Sequence, residues 1–379
     1  MAGVQPTGHG ATIYSVAELA GVSIASVSRV LQGSTAVSDR TREKVLAAVE
    51  QLNYVPLGAA RSLAVRHHEA HGLVLPELTG PYYAELLLGF ETRAAEYGQS
   101  VVLLLAQGKK DLARAVRQLA TRVDGLAMLG SASIPDSVVM SLHGSKPVVL
   151  IAGDEHPGVE AIGAENVHSA EQLVGHLFRH GRSRLLFVGD PDVAPDVRDR
   201  YHGFVRAHEA AGLTPAEPAR IAFQEADGTA FADRVLAGEL TADALVCAND
   251  ELALSIMHRL QDCGVDVPGD VAVVGWDDVM TARYVRPGLT TVRQPVHELG
   301  ALAADRLHQR VSGAPAREDL QVLPTTVVIR ESCGCGAPQP EKPAARHTRS
   351  ARRHTHTSPP GRTTRTTPSP APQGKRDQP

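Results

Sequence analysis

The chain has 379 residues, 43% of them hydrophobic and 4% aromatic, with a formal net charge of −4. That length exceeds one ordinary domain and predicts a small domain beside a larger one, with the Ala, Val and Leu content suited to helices packed on buried parallel strands. From Glu341 onward nine Lys and Arg stand against two acidic residues, which leaves the preceding body near −11 and excludes nucleic-acid binding over its whole surface; any DNA contact must come from one docked element.

Residues 1–11 contain Gly and Pro without periodicity and are read as disordered. From Ser15 the pattern turns helical. Ser15 followed by Glu18 reads as a capping box, with Val16, Leu19 and Ala20 on the inner face, and Gly21 ends the helix. Ser23 is placed to cap a second helix in which Val27, Val30 and Leu31 face inward, while Ile24, Ala25, Ser28 and Arg29 point elsewhere. Ser38 caps a third helix with Val45, Leu46, Val49 and Leu52 inward, and Pro56 closes it.

Beyond His71, short apolar runs alternate with amphipathic stretches. GLVL (72–75), VVLLL (101–105), GLAML (125–129), VVLIA (148–152), LLFVG (185–189), ALVCA (244–248) and VAVVG (271–275) read as buried parallel strands. Ala84–Tyr97, Asp111–Arg122, Ala170–His180 and Glu251–Cys263 read as crossover helices between them, which predicts a doubly wound α/β architecture. The stretch after Gly336 is rich in Pro, Thr and Arg and cannot bury a core, so a disordered basic tail is expected, with any phosphate affinity there non-specific.

The run IYSVAELAGVSIASVSRVL (13–31) sets two short helices around Gly-Val-Ser, which by spacing alone fits either a DNA-binding helix-turn-helix or a core hairpin. Its residues resemble the signature of the lactose-repressor (LacI) family, with only serine for threonine at Ser26, and the resemblance continues through TAVSDRTREKVLAAVEQLNYVPLGAARSL (35–63). It implies a transcriptional regulator, expected to be a repressor, that binds double-stranded operator DNA as a homodimer. Ile24 and Ala25 correspond to the operator-discriminating positions and Arg29 to a base-contacting arginine, suited to guanine O6 and N7. Ser23, Ser26 and Ser28 are expected either at phosphates or as caps. In the hinge segment Leu63 corresponds to a minor-groove wedge beside Arg61, while Gly58 departs from the helix formers usual there.

The rest of the chain to about Ser332 resembles the family's core, a two-lobed fold similar to periplasmic sugar-binding proteins. PYYAEL (81–86), RYHGF (200–204), VCANDELAL (246–254), VGWDDV (274–279), LTTVRQP (289–295) and VVIRES (327–332) carry the resemblance. It implies crossings between lobes near Gly163, Thr291 and Leu323, and an effector cleft at Tyr83, Arg200, Phe223, Asn249, Asp277 and Gln294. Aromatic faces with a few oriented polar groups suit a polyol or a nucleobase. Ala152 stands where many sugar-responsive relatives carry an aspartate, with Asp154 nearby, so a sugar and a nucleobase or nucleoside both stay open, with a sugar or sugar derivative favoured by family frequency. Asp250 is expected at a helix N-terminus.

The fold expected is an all-α helix-turn-helix domain followed by an α/β two-lobed, periplasmic-binding-protein-like domain with doubly wound parallel sheets. Its boundaries are 1–11, a disordered start; 12–56, helix-turn-helix; 57–68, hinge helix or linker; 69–332, effector binding and dimerisation; and 333–379, the tail. The longest aliphatic run, Val101–Ala106, is far short of the roughly 20 residues that cross a bilayer. MAGVQPTGHG lacks the basic start and apolar core of a signal peptide, and four cysteines do not suggest a disulfide framework, so a cytoplasmic protein with no membrane partner is expected. G-x-G-x-x-G after the first strand, G-x-x-x-x-G-K-[ST], G-x-S-x-G and H-E-x-x-H are all missing, so neither an enzyme nor a catalytic residue or cofactor is expected. Cys333-Gly-Cys335 supplies two thiolates, but four ligands at zinc-site spacing are not visible, so no metal is expected.

Overall fold

The computed structural model describes residues 11–31, 36–54, 68–317 and 319–336. Three helices come first: α1 (Ile13–Ala20), α2 (Ile24–Leu31) and α3 (Asp39–Gln51). The cap of α1 is Thr12 rather than Ser15, because Thr12 and Ser15 form the box themselves: Ser15 N donates to Thr12 Oγ1 at 3.3 Å and Thr12 N to Ser15 Oγ at 2.8 Å. Val16 and Ala20 are buried as expected and Ala17 joins them, whereas Leu19, on the edge of that stripe, is exposed. In α2 the buried pair is Val27 and Val30, with Leu31 partly buried. In α3 Val45 and Ala48 are buried while Leu46 turns to solvent, and Tyr54 closes this small core. Gly21 takes φ 63°, a left-handed turn that Gly adopts without a Cβ penalty.

The larger part is two α/β lobes. Lobe 1 carries β1 (Ala70–Leu75), α4 (Pro81–Glu96), β2 (Ser100–Leu105), α5 (Leu112–Ala120), β3 (Gly125–Leu129), α6 (Asp136–His143), β4 (Val148–Ile151) and β5 (Glu160–Ala164). Lobe 2 follows with α7 (Val167–Arg179), β6 (Leu185–Val188), α8 (Pro195–Ala210), α9 (Glu225–Leu236), β7 (Ala244–Cys247), α10 (Asp250–Asp262) and β8 (Ala272–Val274). The chain then runs through β9 (Thr291–Arg293) to α11 (Val296–Val311), which packs on lobe 1, and through β10 (Gln321–Leu323) and β11 (Thr326–Val328). The strand order is β10-β5-β4-β3-β1-β2 in lobe 1 and β6-β7-β8 in lobe 2, all parallel, while β11 and β9 form a small antiparallel ribbon. β1, β3, β4, β6 and β7 are buried along their whole length, as continuous apolar runs covered by helices on both faces should be.

The chain passes between lobes after Ala164, around Arg293 and between Leu323 and Thr326. β5, β9, β10 and β11 are too short or too mixed to stand out as apolar runs. The tail boundary moves. Cys333 is fully buried in the core of lobe 2 and Cys335 packs against it, so the folded lobe extends through Gly336 rather than ending at Ser332. Ser332 fixes this end, with its Oγ donating to Val273 O and accepting from Thr290 N at 2.9 Å.

Candidate functional site

In parallel sheets the carboxyl ends of the strands open toward ligands, because the loops that follow them splay apart there. Both lobes point these ends at one cleft. Glu77 follows β1, Ser131 follows β3, Ala152 follows β4, Ala248 and Asn249 follow β7, and Asp277 follows β8, and all of them line the same cavity. The N-terminal turns of α4 and α8 complete it with Tyr82, Tyr83, Asp196 and Arg200.

Five of the six expected residues, Tyr83, Arg200, Phe223, Asn249 and Asp277, line this cavity, and Gln294 stands behind it. Gln294 Nε2 donates to Asp277 Oδ1 at 2.6 Å, so it orients the carboxylate rather than facing the cleft. Arg200 is buried and held from three sides. Nε donates to Asn166 Oδ1 at 2.9 Å, Nη1 to Ala248 O at 2.6 Å and Nη2 to Asp196 Oδ2 at 2.7 Å, while the guanidinium lies 4.8 Å from the Trp276 ring. A guanidinium has five N–H donors, so two remain for a ligand. Asn249 is the N-cap of α10, its Oδ1 accepting from Leu252 N at 3.0 Å and its Nδ2 donating to Phe223 O at 3.5 Å, which leaves one amide N–H for the cavity it lines. Asp250, in the first turn of the helix as expected, is fully buried and also braces the lobe: it accepts from Thr291 Oγ1 at 2.6 Å and from Val279 N at 2.9 Å.

Asp277 and Asp278 both adopt positive φ, 113° and 57°, a conformation side chains resist and surrounding bonds must enforce. Asp277 N donates to Val292 O at 2.8 Å, and Asp278 is clamped by Arg293 at 2.7 Å and by Arg330. Burial pushes the Asp277 carboxyl up to about 7, with Asp196 and Glu251 adding to the rise and Arg200 and Gln294 opposing it. Glu251 is raised by burial, then by Glu77 and Glu225, and Asp250 is raised well above the ordinary carboxylate range by burial, then by Asp277. Burial also lifts both tyrosine phenols, so they stay neutral donors.

Tyr82, Glu77, Asp196, Gln224 and Glu251 were not anticipated. Tyr82 and Tyr83 meet edge to face at 5.4 Å, and both reach the cavity because they occupy the first turn of α4, where two neighbouring side chains can face its open end. Asp196 lies one helical turn before Arg200, a spacing that could have marked it. Glu77 follows a strand end, the place where ligand groups collect. Two polar contacts join the lobes across the cleft: Gln224 Nε2 to Glu77 Oε1 at 2.7 Å and Arg198 Nη2 to Asp154 Oδ1 at 2.7 Å. Asp154 is thereby engaged at the rim, and Ala152 lines the pocket.

The first two helices form a second surface. Their axes differ by 104°, within the range of a helix-turn-helix. Ser23, Ile24, Ala25 and Arg29 are exposed on α2 or its cap, and Ser26 and Ser28 are partly so. Ser23 caps the helix, accepting from Ser26 N at 3.2 Å with the two hydroxyls 2.9 Å apart, so these serines serve the helix start itself. Tyr14, also exposed, borders the same shallow surface as Ser23 and Ile24. Arg61 and Leu63 lie outside the described residues. Among the described residues no single helix is long and apolar enough to cross a membrane.

Residues 12–56 match the family described as bacterial regulatory proteins, lacI family, and residues 174–333 match the periplasmic binding protein-like domain. The chain is 32% identical over 330 residues to the HTH-type transcriptional regulator GalR of Escherichia coli (strain K12), spanning 85% of this chain and 95% of GalR. It is 31% identical over 331 residues to the HTH-type transcriptional repressor PurR of Haemophilus influenzae (strain PittEE), spanning 85% and 98%. A lac repressor dimer bound to operator and the anti-inducer ONPF has a TM-score of 0.78 at 28% identity, over 86% of this chain and 99% of that one. A complex of the transcriptional regulator CelR with cellobiose has a TM-score of 0.64 at 29% identity, over 85% and 99%.

Proposed function

The chain belongs to the lacI family of bacterial regulatory proteins, a family of DNA-binding transcriptional regulators, and from that premise we propose that it is a repressor whose operator affinity is set by a sugar or sugar derivative held between the lobes. The observation that carries the effector reading is the make-up of the cleft. Glu77, Asp196, Glu251 and Asp277 offer carboxylate acceptors around one guanidinium, with Tyr82, Tyr83 and Phe223 as apolar faces. Acceptors in that excess suit a ligand rich in hydroxyl donors, with aromatic rings for the apolar face of a sugar ring, and disfavour phosphates and carboxylates. The cellobiose complex of a similar structure supports the same reading.

The DNA-reading residues are Ile24, Ala25 and Arg29, with Ser28 at the edge and Ser23 and Ser26 fixing the helix start; Arg61 and Leu63 extend the contact into the hinge, residues 57–68. One short recognition helix reads too few bases for useful specificity, so two copies related by a two-fold axis bind a near-palindromic site. The test is thermal-shift and operator-release titration against a panel of mono- and disaccharides and of nucleobases and nucleosides. A sugar that raises the melting temperature and changes operator affinity is expected. A purine or pyrimidine doing so, with every sugar inert, would replace the sugar reading.

A further inference from the structure

At the far end of α7 from the crossing, three side chains with nothing to do with the cleft come together. His176 and His180 are one helical turn apart, and with Cys335 their ligating atoms all lie within 4.8 Å of one another. Cys335 Sγ is 3.5 Å from His176 Nε2 and 3.1 Å from His180 Nε2. Cys333 adds a second thiol, its Sγ 3.3 Å from His176 Nε2. We propose that His176, His180, Cys333 and Cys335 form a structural zinc site that pins the end of lobe 2 to α7.

Three separations, His176 to both thiols and His180 to Cys335, come near those an ion would impose, while Cys333 stands outside the mutual 4.8 Å group and would have to close on His180 when the ion binds. With Zn–N near 2.0–2.1 Å and Zn–S near 2.3 Å, a tetrahedral ion sets N···S separations of about 3.5 Å. Two imidazoles and two thiolates leave no open position, which marks a structural rather than a catalytic site, and the soft sulfur donors select zinc over magnesium or calcium. Backbone and neighbours support the arrangement. Gly334 takes φ 107°, a conformation side chains rarely adopt, and so lets the two flanking thiols approach the same helix end. Thr290 Oγ1 lies 3.2 Å from Cys333 Sγ and 3.1 Å from Arg330 O, so its one proton can turn to the sulfur when the thiol gives up its own, the kind of hydrogen bond that orients a thiolate ligand. The C-terminal end of a helix, where His180 sits as the cap, also favours a cation. The histidine pair and the cysteine pair lie about 150 positions apart in sequence, which is why cysteine and histidine spacing does not reveal the site.

The test uses the full chain. Protein purified under reducing conditions without chelator is expected to carry stoichiometric zinc by mass-spectrometric metal analysis. After stripping, Co²⁺ alone should give the visible bands of a tetrahedral site together with thiolate charge transfer. His180→Ala, an exposed position, and Cys335→Ser, a partly exposed one, should lose stoichiometric metal, while Cys263→Ser and the triple change of His347, His354 and His356 to Ala should retain it. Chelation should lower the melting temperature of the wild type and leave Cys335→Ser unmoved. Metal retained by Cys335→Ser, an octahedral cobalt spectrum, or a Cys333–Cys335 disulfide whose reduction yields no zinc binding would each overturn the site.

Discussion

Asp277 is held in a strained backbone conformation by the strand behind it and by Gln294, and burial keeps its carboxyl near 7. Its ordinary value is 3.8, so between about 4 and 7 the folded chain keeps a proton that the unfolded chain has lost. The sign follows: the contribution of Asp277 to stability falls as pH rises through that window and is constant below and above it. Asp277→Asn removes this titration, so the difference in stability between wild type and variant should move against the wild type by on the order of 2–4 kcal/mol between pH 4 and pH 8, measured by urea unfolding at each pH. A parallel pair of pH profiles would show that the carboxyl titrates normally. On the DNA side, Arg29 is exposed and makes no contribution to the small helical core, so Arg29→Ala should leave the melting curve alone and weaken specific operator binding by about 1–3 kcal/mol. Unchanged affinity in a gel-shift titration would remove Arg29 from base contact. At this scale sequence motifs place Arg200 and Asp277 on the cavity wall, because each sits in a distinctive local run. Tyr82, Glu77 and Glu251 stay hidden because their role depends on two lobes meeting, and Gln294 is misplaced by one layer because motif position does not distinguish a residue facing the cleft from the one bonded behind it.

At the scale of elements, apolar runs mark the long central strands, while β9, β10 and β11, which carry the chain between lobes, are short pieces of mixed exposure. The first helix begins one step earlier than its motif suggests: the hydroxyl pair Thr12 and Ser15, three residues before the Ser15–Glu18 pair, starts α1 at Ile13, while Val16 and Ala20 keep their buried places and Leu19 alone of the expected face is exposed. Helix α11 returns to lobe 1 and lies against α4 so closely that a Cβ on Gly300 would sit 2.2 Å from Leu86 O, and one on Gly89 2.0 Å from His297 O. Neither neighbour is a side-chain tip that can swing away. Gly300→Ala should therefore push the helices apart and destabilise the chain by about 1–3 kcal/mol, read from denaturant midpoints. Ala is otherwise the better helix former, so a stabilised variant would mean that the two helices have room to separate.

Over the whole molecule, a ligand can change operator affinity only by favouring one arrangement of the lobes, since equal affinity for both shifts nothing. The structure supplies parts for such a bias. Arg200 ties the cleft to Asn166 at the first crossing, Asp277 and Asp278 are bonded to the second, and Glu77–Gln224 and Asp154–Arg198 bridge the lobes directly. A contact to Asp277 or Arg200 thus bears on strands that join the halves. On the proposed function, this cleft is where an effector acts on DNA binding. The measurement is operator affinity for wild type and Asp277→Ala, each titrated with and without the effector identified in the panel. Effector-free binding of the variant should stay near wild type while its response to the effector is lost; a full response in the variant would contradict a role for this cleft.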